Sequence, residues 1–406
     1  MTSPSSNGDA DESRVDAWQV FLVFLRLGLT SFGGPIAHLG YFRDEFVARR
    51  RWLSESEYAG LVALCQFLPG PASSQVGMAI GLSRAGLRGA LAAWCGFTVP
   101  SAAAMIAFAY VLSQWGARLP PDALHGMKLV AVTVVAQAVW GMARTFCRDA
   151  GHALIAVVAA ICVLSWPSAW MQVGIIALAG VAAGSAWRHD AGAHASSGLN
   201  VPVSRRFAIA SLVCFFVLLI GLPLLAATTG SMGLRIADAF YRTGSLVFGG
   251  GHVVLPLLRA ETVVRGWIGA GDFLAGYGVA QALPGPLFTF AAFLGATMTV
   301  GPGGWLGGVL CLLAIFLPSL LLVLGVLPFW EDLRQWPKMR AALAGVNAAV
   351  VGLLLAALYD PLWTGAVRDW RDVSLVVAGI AALMWAKWPP WVVVLVLAAA
   401  GFLVVA

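Results

Sequence analysis

Charge is what this sequence has least of: 11% of its 406 residues are Asp, Glu, Lys or Arg, against roughly 25% in an ordinary soluble domain. That scarcity excludes a soluble enzyme. Cysteine is scarcer still, with six residues (Cys65, Cys95, Cys147, Cys162, Cys214, Cys311) scattered through apolar stretches, without a CxxC or a histidine at metal spacing. Neither a disulfide framework nor a metal centre follows, and no cofactor is expected. Acidic residues are nearly absent from the interiors of the apolar segments, Asp238 and Asp272 lying at segment ends. A cation path would need them, whereas an anion path is free of their repulsion. The net charge of +6 does not mark a nucleic-acid binder, because the Lys and Arg sit singly between apolar runs instead of gathering on one face.

What is present is apolar. Hydrophobic residues make up 60% of the chain, with 17 Trp, 46 Gly and a mean hydropathy of +0.85. One aqueous core cannot hide that surface, so the solvent is the lipid bilayer and the expected fold is an all-α polytopic membrane protein. Apolar segments suited to helices run over 17–40, 57–82, 87–115, 126–147, 152–165, 168–187, 207–229, 236–258, 272–298, 303–330, 340–360, 373–386 and 389–405. A crossing helix needs about 20 residues. The short pair hinged at Ser165-Trp166-Pro167-Ser168 and the pair around Trp388-Pro389-Pro390 therefore read as tight helical hairpins. Residues 1–16 are polar and acidic, without the basic start and cleavage site of a signal peptide, and read as a disordered tail.

A polar linker over 188–206 divides the chain, and the two sides of it repeat. Phe24, Gly28, Phe32, Gly33 and Gly34 fall at constant offset on Phe240, Gly244, Phe248, Gly249 and Gly250. The same offset carries Arg43-x-Glu45-x-Val47-x-Arg49 onto Arg259-x-Glu261-x-Val263-x-Arg265. After a one-residue gap, Trp52, Gln66, Leu68-Pro69-Gly70-Pro71 and Ser74 match Trp267, Gln281, Leu283-Pro284-Gly285-Pro286 and Thr289, and later Pro100-Ser101 matches Pro318-Ser319. The expected organisation is repeat 1 over 17–187, the linker, a connecting transmembrane helix over 207–229, and repeat 2 over 230–406. If the Gly-rich and Pro-Gly-Pro segments each dip in and return, Arg43, Arg49, Arg50, Arg51, Arg84, Arg88, Arg144, Arg148, Arg205 and Arg206 share one side, which the positive-inside rule makes cytoplasmic. The N-terminus is then cytoplasmic, and the two homologous repeats lie in inverted orientation, with broken or re-entrant helices.

Leu-Pro-Gly-Pro inside an apolar segment cannot be continuous helix. In lipid, irregular backbone survives where it is buried in protein or lines a water-filled path, and in inverted-repeat transporters such breaks aim helix ends at an anion. The candidate binding residues are accordingly Ser31, Phe32, Gly33, Gly34, Gln66, Pro69, Gly70, Pro71 and Ser74, with Phe248, Gly249, Gly250, Gly251, Gln281, Pro284, Gly285, Pro286 and Thr289. The plainer alternative is that Pro and Gly only kink and close-pack helices. Arg43 and Arg259 are candidates to recruit a divalent anion at a vestibule, with Glu45 and Glu261 pairing to arginine as a gate. The alternative for that motif is a solvated interface anchor. His38 and His252 lie near the breaks and favour interhelix hydrogen bonding over proton coupling, for which they are the available groups.

The stretches TSFGGPIAHLGYFRDEF, LVALCQFLPGPASSQVGMAIG, FGGGHVVLPLL and AQALPGPLFTFAAFLG resemble the chromate ion transporter family in its long form with two homologous halves. The resemblance covers nearly the whole chain apart from tail and linker. It implies export of the chromate dianion from the bacterial cytoplasm across the inner membrane, giving resistance. Carrying two charges out of a negative interior releases about 4.6 kcal/mol per 100 mV, so membrane potential is the expected drive, with proton motive force as the other. Sulfate, of similar shape and charge, stays open as a substrate, a homodimer as an assembly, and a passive oxyanion channel or a sulfate transporter as the alternative function. A chromate reductase would need a flavin, haem or metal site that the sequence does not offer.

Overall fold

The computed structural model of the chain describes residues 16–115, 121–166, 168–186, 203–248, 251–330 and 337–405. Among these, every regular element is a helix. Residues 1–15 of the tail expected over 1–16, most of the linker, and Gly249 with Gly250 lie outside the described residues. The first half comprises α1 (Ala17–Thr30), α2 (Gly34–Arg43), α3 (Glu55–Phe67), α4 (Ala72–Trp115), α5 (Pro121–Phe146), α6 (Ala150–Ser165) and α7 (Ala169–Ala186). After α8 (Arg205–Thr229) come α9 (Met232–Leu246), α10 (Val254–Thr262), α11 (Ala270–Ala282), α12 (Phe290–Thr297), α13 (Gly304–Val326), α14 (Pro337–Ala357), α15 (Trp370–Met384) and α16 (Pro390–Val405).

Local chemistry sets the ends of these helices, and it recurs in both halves. Asp149 and Asp369 cap α6 and α15, each side chain accepting a backbone N–H of the first turn. Ser54 and Glu57 close a capping box on α3. Proline sits at the first position of α5, α14 and α16, where its missing N–H would be unpaired in any case. The apolar segments break where the sequence reading placed the breaks, at Ser31–Gly33, Leu68–Pro71, Val247 and Leu283–Pro286. A further break falls inside α4. Gly86 has φ +60°, and a Cβ on Gly81 would collide with the Gly89 carbonyl. Residues eight apart in a straight helix are about 12 Å apart at 1.5 Å per residue, so α4 doubles back on itself at Ala85–Gly86. In the second half α12 and α13 make the same turn, with Gly295 against Gly307.

Five helices, Ala72–Gln114, His125–Phe146, Arg205–Thr229, Gly304–Phe329 and Ala341–Ala366, are long and apolar enough to cross a membrane by length and composition. The arms of the broken elements are shorter; the 14 residues of α1 reach about 21 Å at 1.5 Å per residue. The halves are interlocked. α5 packs on α15 and α16, while its counterpart α14 packs on α6 and α7, and α4 meets α12 and α13 at the centre. The aromatic core lies there, with Phe97, Phe290, Phe293 and Phe316 buried. α8 has no counterpart in the first half, packs on α9 and α13, and accepts the Tyr241 hydroxyl at Phe215 O, 3.0 Å. It is the helix that links the two copies.

Candidate functional site

The Pro-Gly-Pro turn of each copy docks on the Gly-rich break of the other. Gly70 N–H donates to Val247 O at 2.6 Å, and Gly285 N–H donates to Ser31 O at 3.0 Å. Gly70 and Gly285 are repeat equivalents, as are Ser31 and Val247, so these are one contact made twice. Glycine is required at both turns. Gly70 has φ +121° and Gly285 φ +96°, a region side chains avoid. A Cβ on Gly70 would also strike Ser319 Oγ, and one on Gly285 would approach Ser101 Oγ to 2.8 Å. Ser319 and Ser101 are themselves repeat equivalents. The expectation that these two amides face an anion is therefore corrected, because carbonyls of the opposite copy already hold them.

Side-chain hydroxyls remain as the donors. Ser31 Oγ, Ser74 Oγ, Thr98 Oγ1 and Ser319 Oγ are buried without a hydrogen-bond partner in the protein. Buried polar atoms are almost always paired, and two of these belong to the paired contacts: Ser31 supplies the carbonyl that holds Gly285, and Ser319 Oγ lies against Gly70. Their equivalents differ: Thr289 Oγ1 donates to Pro286 O at 2.9 Å, and Ser101 Oγ to Thr98 O at 3.2 Å. The side chains at these contacts (Ser31, Ser319, Ser101, Gln75) include no carboxylate.

Both histidines bridge elements. His38 Nε2 lies 3.2 Å from Ser31 O and Nδ1 3.3 Å from Ser73 Oγ. A carbonyl only accepts, so Nε2 carries the proton and the neutral ring accepts from Ser73 at Nδ1. His252 Nδ1 lies 2.9 Å from the Tyr277 hydroxyl, and its Nε2 would stand 4.0 Å from a Cβ on Gly34, bringing the two Gly-rich breaks together. Phe32 reaches to 6.3 Å from the Trp391 ring, and Phe248 packs on the core. Pro69 O accepts from Gln75 Nε2 at 2.7 Å and Pro71 O from Gln75 N at 3.0 Å. Gln75 is the amide at this turn; Gln66, the expected one, is exposed on α3. A signal for it was available, since four residues past Pro71 is one helical turn from the break.

The Arg-x-Glu-x-Val-x-Arg motif builds a clamp in each copy. Glu45 accepts from Arg50 at 2.6 Å and Arg49 at 3.0 Å. Glu261 is held by Arg265 at 2.6 Å and Arg242 at 2.9 Å. Arg50 then stacks over Trp52, 5.5 Å to the ring centroid, as Arg265 does over Trp267, 5.2 Å. The extra residue of the first copy is absorbed by a π-helical turn over Asp44–Arg49. Arg43 does not join Glu45: it is exposed and pairs with Glu55 at 2.7 Å. Arg259 stands 3.6 Å from Asp360, its Nε unpaired. Glu45 and Glu261 are thus held by arginines of the clamps, while Arg43 and Arg259 pair with Glu55 and Asp360.

A family model described as chromate transporter matches the chain twice, over residues 18–185 and 234–402. The chain is 30% identical over 395 residues to a chromate transport protein of Pseudomonas aeruginosa, covering 95% of this chain and 92% of the relative. It is 24% identical over 353 residues to a chromate transport protein of Cupriavidus metallidurans, covering 84% and 81%. An uncharacterized transporter of Bacillus subtilis, 29% identical over 163 residues, covers 40% of this chain but 89% of its own length, so it corresponds to one copy of the repeat. No solved structure matches.

Proposed function

The chain belongs to the chromate transporter family, and on that premise we propose that it exports the chromate dianion across the bacterial inner membrane, N-terminus in the cytoplasm, and so confers chromate resistance. The supporting observation is that Ser31 and Ser319, whose hydroxyls are buried and unpartnered, belong to the paired contacts Gly285–Ser31 and Gly70–Val247, with Ser74 and Thr98 likewise buried and unpartnered on α4. Chromate is a tetrahedral dianion whose oxygens only accept hydrogen bonds at neutral pH. Hydroxyl O–H groups supply such donors, without a carboxylate to repel the ion. Ser31 and Ser319 come from different copies, so an anion held between them is at the seam along which the halves can part. Arg43 and the exposed arginines of the first copy draw anions to the cytoplasmic mouth.

Moving a dianion out of a negative interior releases about 4.6 kcal/mol per 100 mV, twice the value for one charge. The membrane potential is therefore a sufficient drive. In inside-out vesicles, an imposed interior-positive potential without a pH difference should accelerate chromate accumulation, saturably and with sulfate as a competitor. Rates that follow a pH difference alone and vanish in His38 or His252 variants would replace potential-driven efflux with proton exchange. Single-channel currents would replace the carrier with a pore.

A further inference from the structure

The two Gly-rich breaks are equivalent in sequence and unequal in support. In the second copy Arg242, on α9 before the break, donates from Nη1 to Glu261 Oε1 at 2.9 Å and from Nη2 to Oε2 at 3.4 Å, with Glu261 on α10 beyond the break. Nη2 also reaches Asp238 Oδ2 at 2.8 Å. The side chains of Arg242, Asp238 and Glu261 are 11%, 11% and 3% exposed. A two-pronged guanidinium–carboxylate pair fixes direction as well as distance, so it sets the angle between the two arms.

The first copy has no such tie. Leu22 stands where Asp238 stands in the second copy, and Arg26, the equivalent of Arg242, is exposed on α1. Among the described residues no ion pair joins α1 to α2, and Glu45 is held by Arg49 and Arg50 within its own loop. Across that break runs the contact of His38 with Ser31 O.

Resting on the anion-site reading above, we propose that Arg242 is a positioning residue: by tying α9 to α10 it holds Val247 as a fixed wall of the site and leaves the Ser31–Gly285 contact as the gate. Gly70 docks on Val247, at the braced break, and Gly285 docks on Ser31, at the unbraced one. Parting the second contact means losing neutral hydrogen bonds, whereas moving the braced arms means breaking a buried ion network, which is far more costly. The site therefore opens on one side.

The test is backbone hydrogen exchange of the full chain in lipid nanodiscs, with and without sodium chromate, beside transport kinetics. In the wild type, chromate should change exchange in segments 27–40 and 283–289 and leave 244–262 unchanged. Arg242→Lys keeps the charge and loses the fork, so exchange in 244–262 should rise severalfold and become chromate-responsive. Its kcat should fall several-fold with KM within about twofold. Asp238→Asn keeps the fork and should retain wild-type exchange there. Equal chromate responses of both breaks in the wild type, or an Arg242→Lys profile identical to wild type, overturns the brace. Chromate leaving both segments unchanged overturns the anion site itself, and the gate with it.

Discussion

Ser101 and Ser319 occupy the same place in the two copies and differ by one hydrogen bond. Ser101 Oγ donates to Thr98 O, while Ser319 Oγ is buried beside Gly70 with no partner. Removing a hydroxyl that is bonded costs about 1 kcal/mol, whereas removing a buried unpaired one is neutral or stabilising. Ser101→Ala should therefore lower the melting temperature and Ser319→Ala should not. If Ser319 binds the anion, the same Ser319→Ala variant should raise the KM for chromate at least several-fold, and an unchanged KM would remove it from the site. Gly70→Ala meets two obstacles, the strain of φ +121° and collision with Ser319 Oγ. Left-handed backbone costs about 1–2 kcal/mol for a residue with a Cβ. The double variant Gly70→Ala/Ser319→Gly removes the collision and keeps the strain, so it should recover part of the stability lost in Gly70→Ala, read by thermal melting.

At the scale of elements, the first copy's π-helical turn over Asp44–Arg49 exists because one residue must be housed between two fixed points, the Phe42–Phe46 packing and the Trp52 stack. The second copy spans the same distance with one residue fewer. Deleting Arg49 should thus be tolerated: Glu45 keeps Arg50, and the lost partner, 58% exposed, contributes at most about 1 kcal/mol. Insertion and a melting temperature within a few degrees of wild type are expected, and a misfolded product would mean that the π turn has a role beyond accommodation. The doubling-back of α4 is the opposite case. Gly81 and Gly89 meet backbone to backbone, so Gly81→Val should abolish folding, as seen in the monodisperse yield from detergent.

For the whole molecule, the decisive feature is exchange of partners between halves. α5 rests on α15 and α16, and α14 on α6 and α7, with His125 Nε2 and Asp372 Oδ1 joined at 2.8 Å across one of these joints. Neither half completes its own core. Repeat 1 expressed alone should aggregate, whereas chains 1–196 and 197–406 expressed together should assemble and co-purify, since the cut falls in the linker. Separate folding of repeat 1 would contradict the interlock. The inverted arrangement has its own check at Arg51 and Gly266, equivalent, exposed and both at positive φ, 54° and 72°. Single cysteines there should label from opposite faces of the membrane, Arg51→Cys from the cytoplasm. Labelling from one face would make the two repeats parallel.

By itself the sequence determined the class of fold, the duplication and the positions of the breaks. Each of these rests on local chemistry: scarcity of charge forces burial in lipid, a Pro-Gly-Pro run cannot continue a helix, and two copies of one module keep the same turn residues. The clamp was also partly legible. Residues two apart on a helix do not face each other, whereas residues four apart do, which favours the observed Glu45–Arg49 pair over Arg43–Glu45. What only the tertiary structure decided is which break meets which. Gly70 and Val247, or Gly285 and Ser31, join through backbone atoms that every residue carries, so no side chain announces the pairing. The same holds for the orphaned hydroxyls: Ser74 and Thr289 look alike in sequence, and whether an Oγ is already bonded depends on the carbonyl that packing brings within reach. Asp238 and Leu22 are legible as a difference between copies, but its consequence, a brace on one break and none on the other, appears only once α10 returns Glu261 to Arg242.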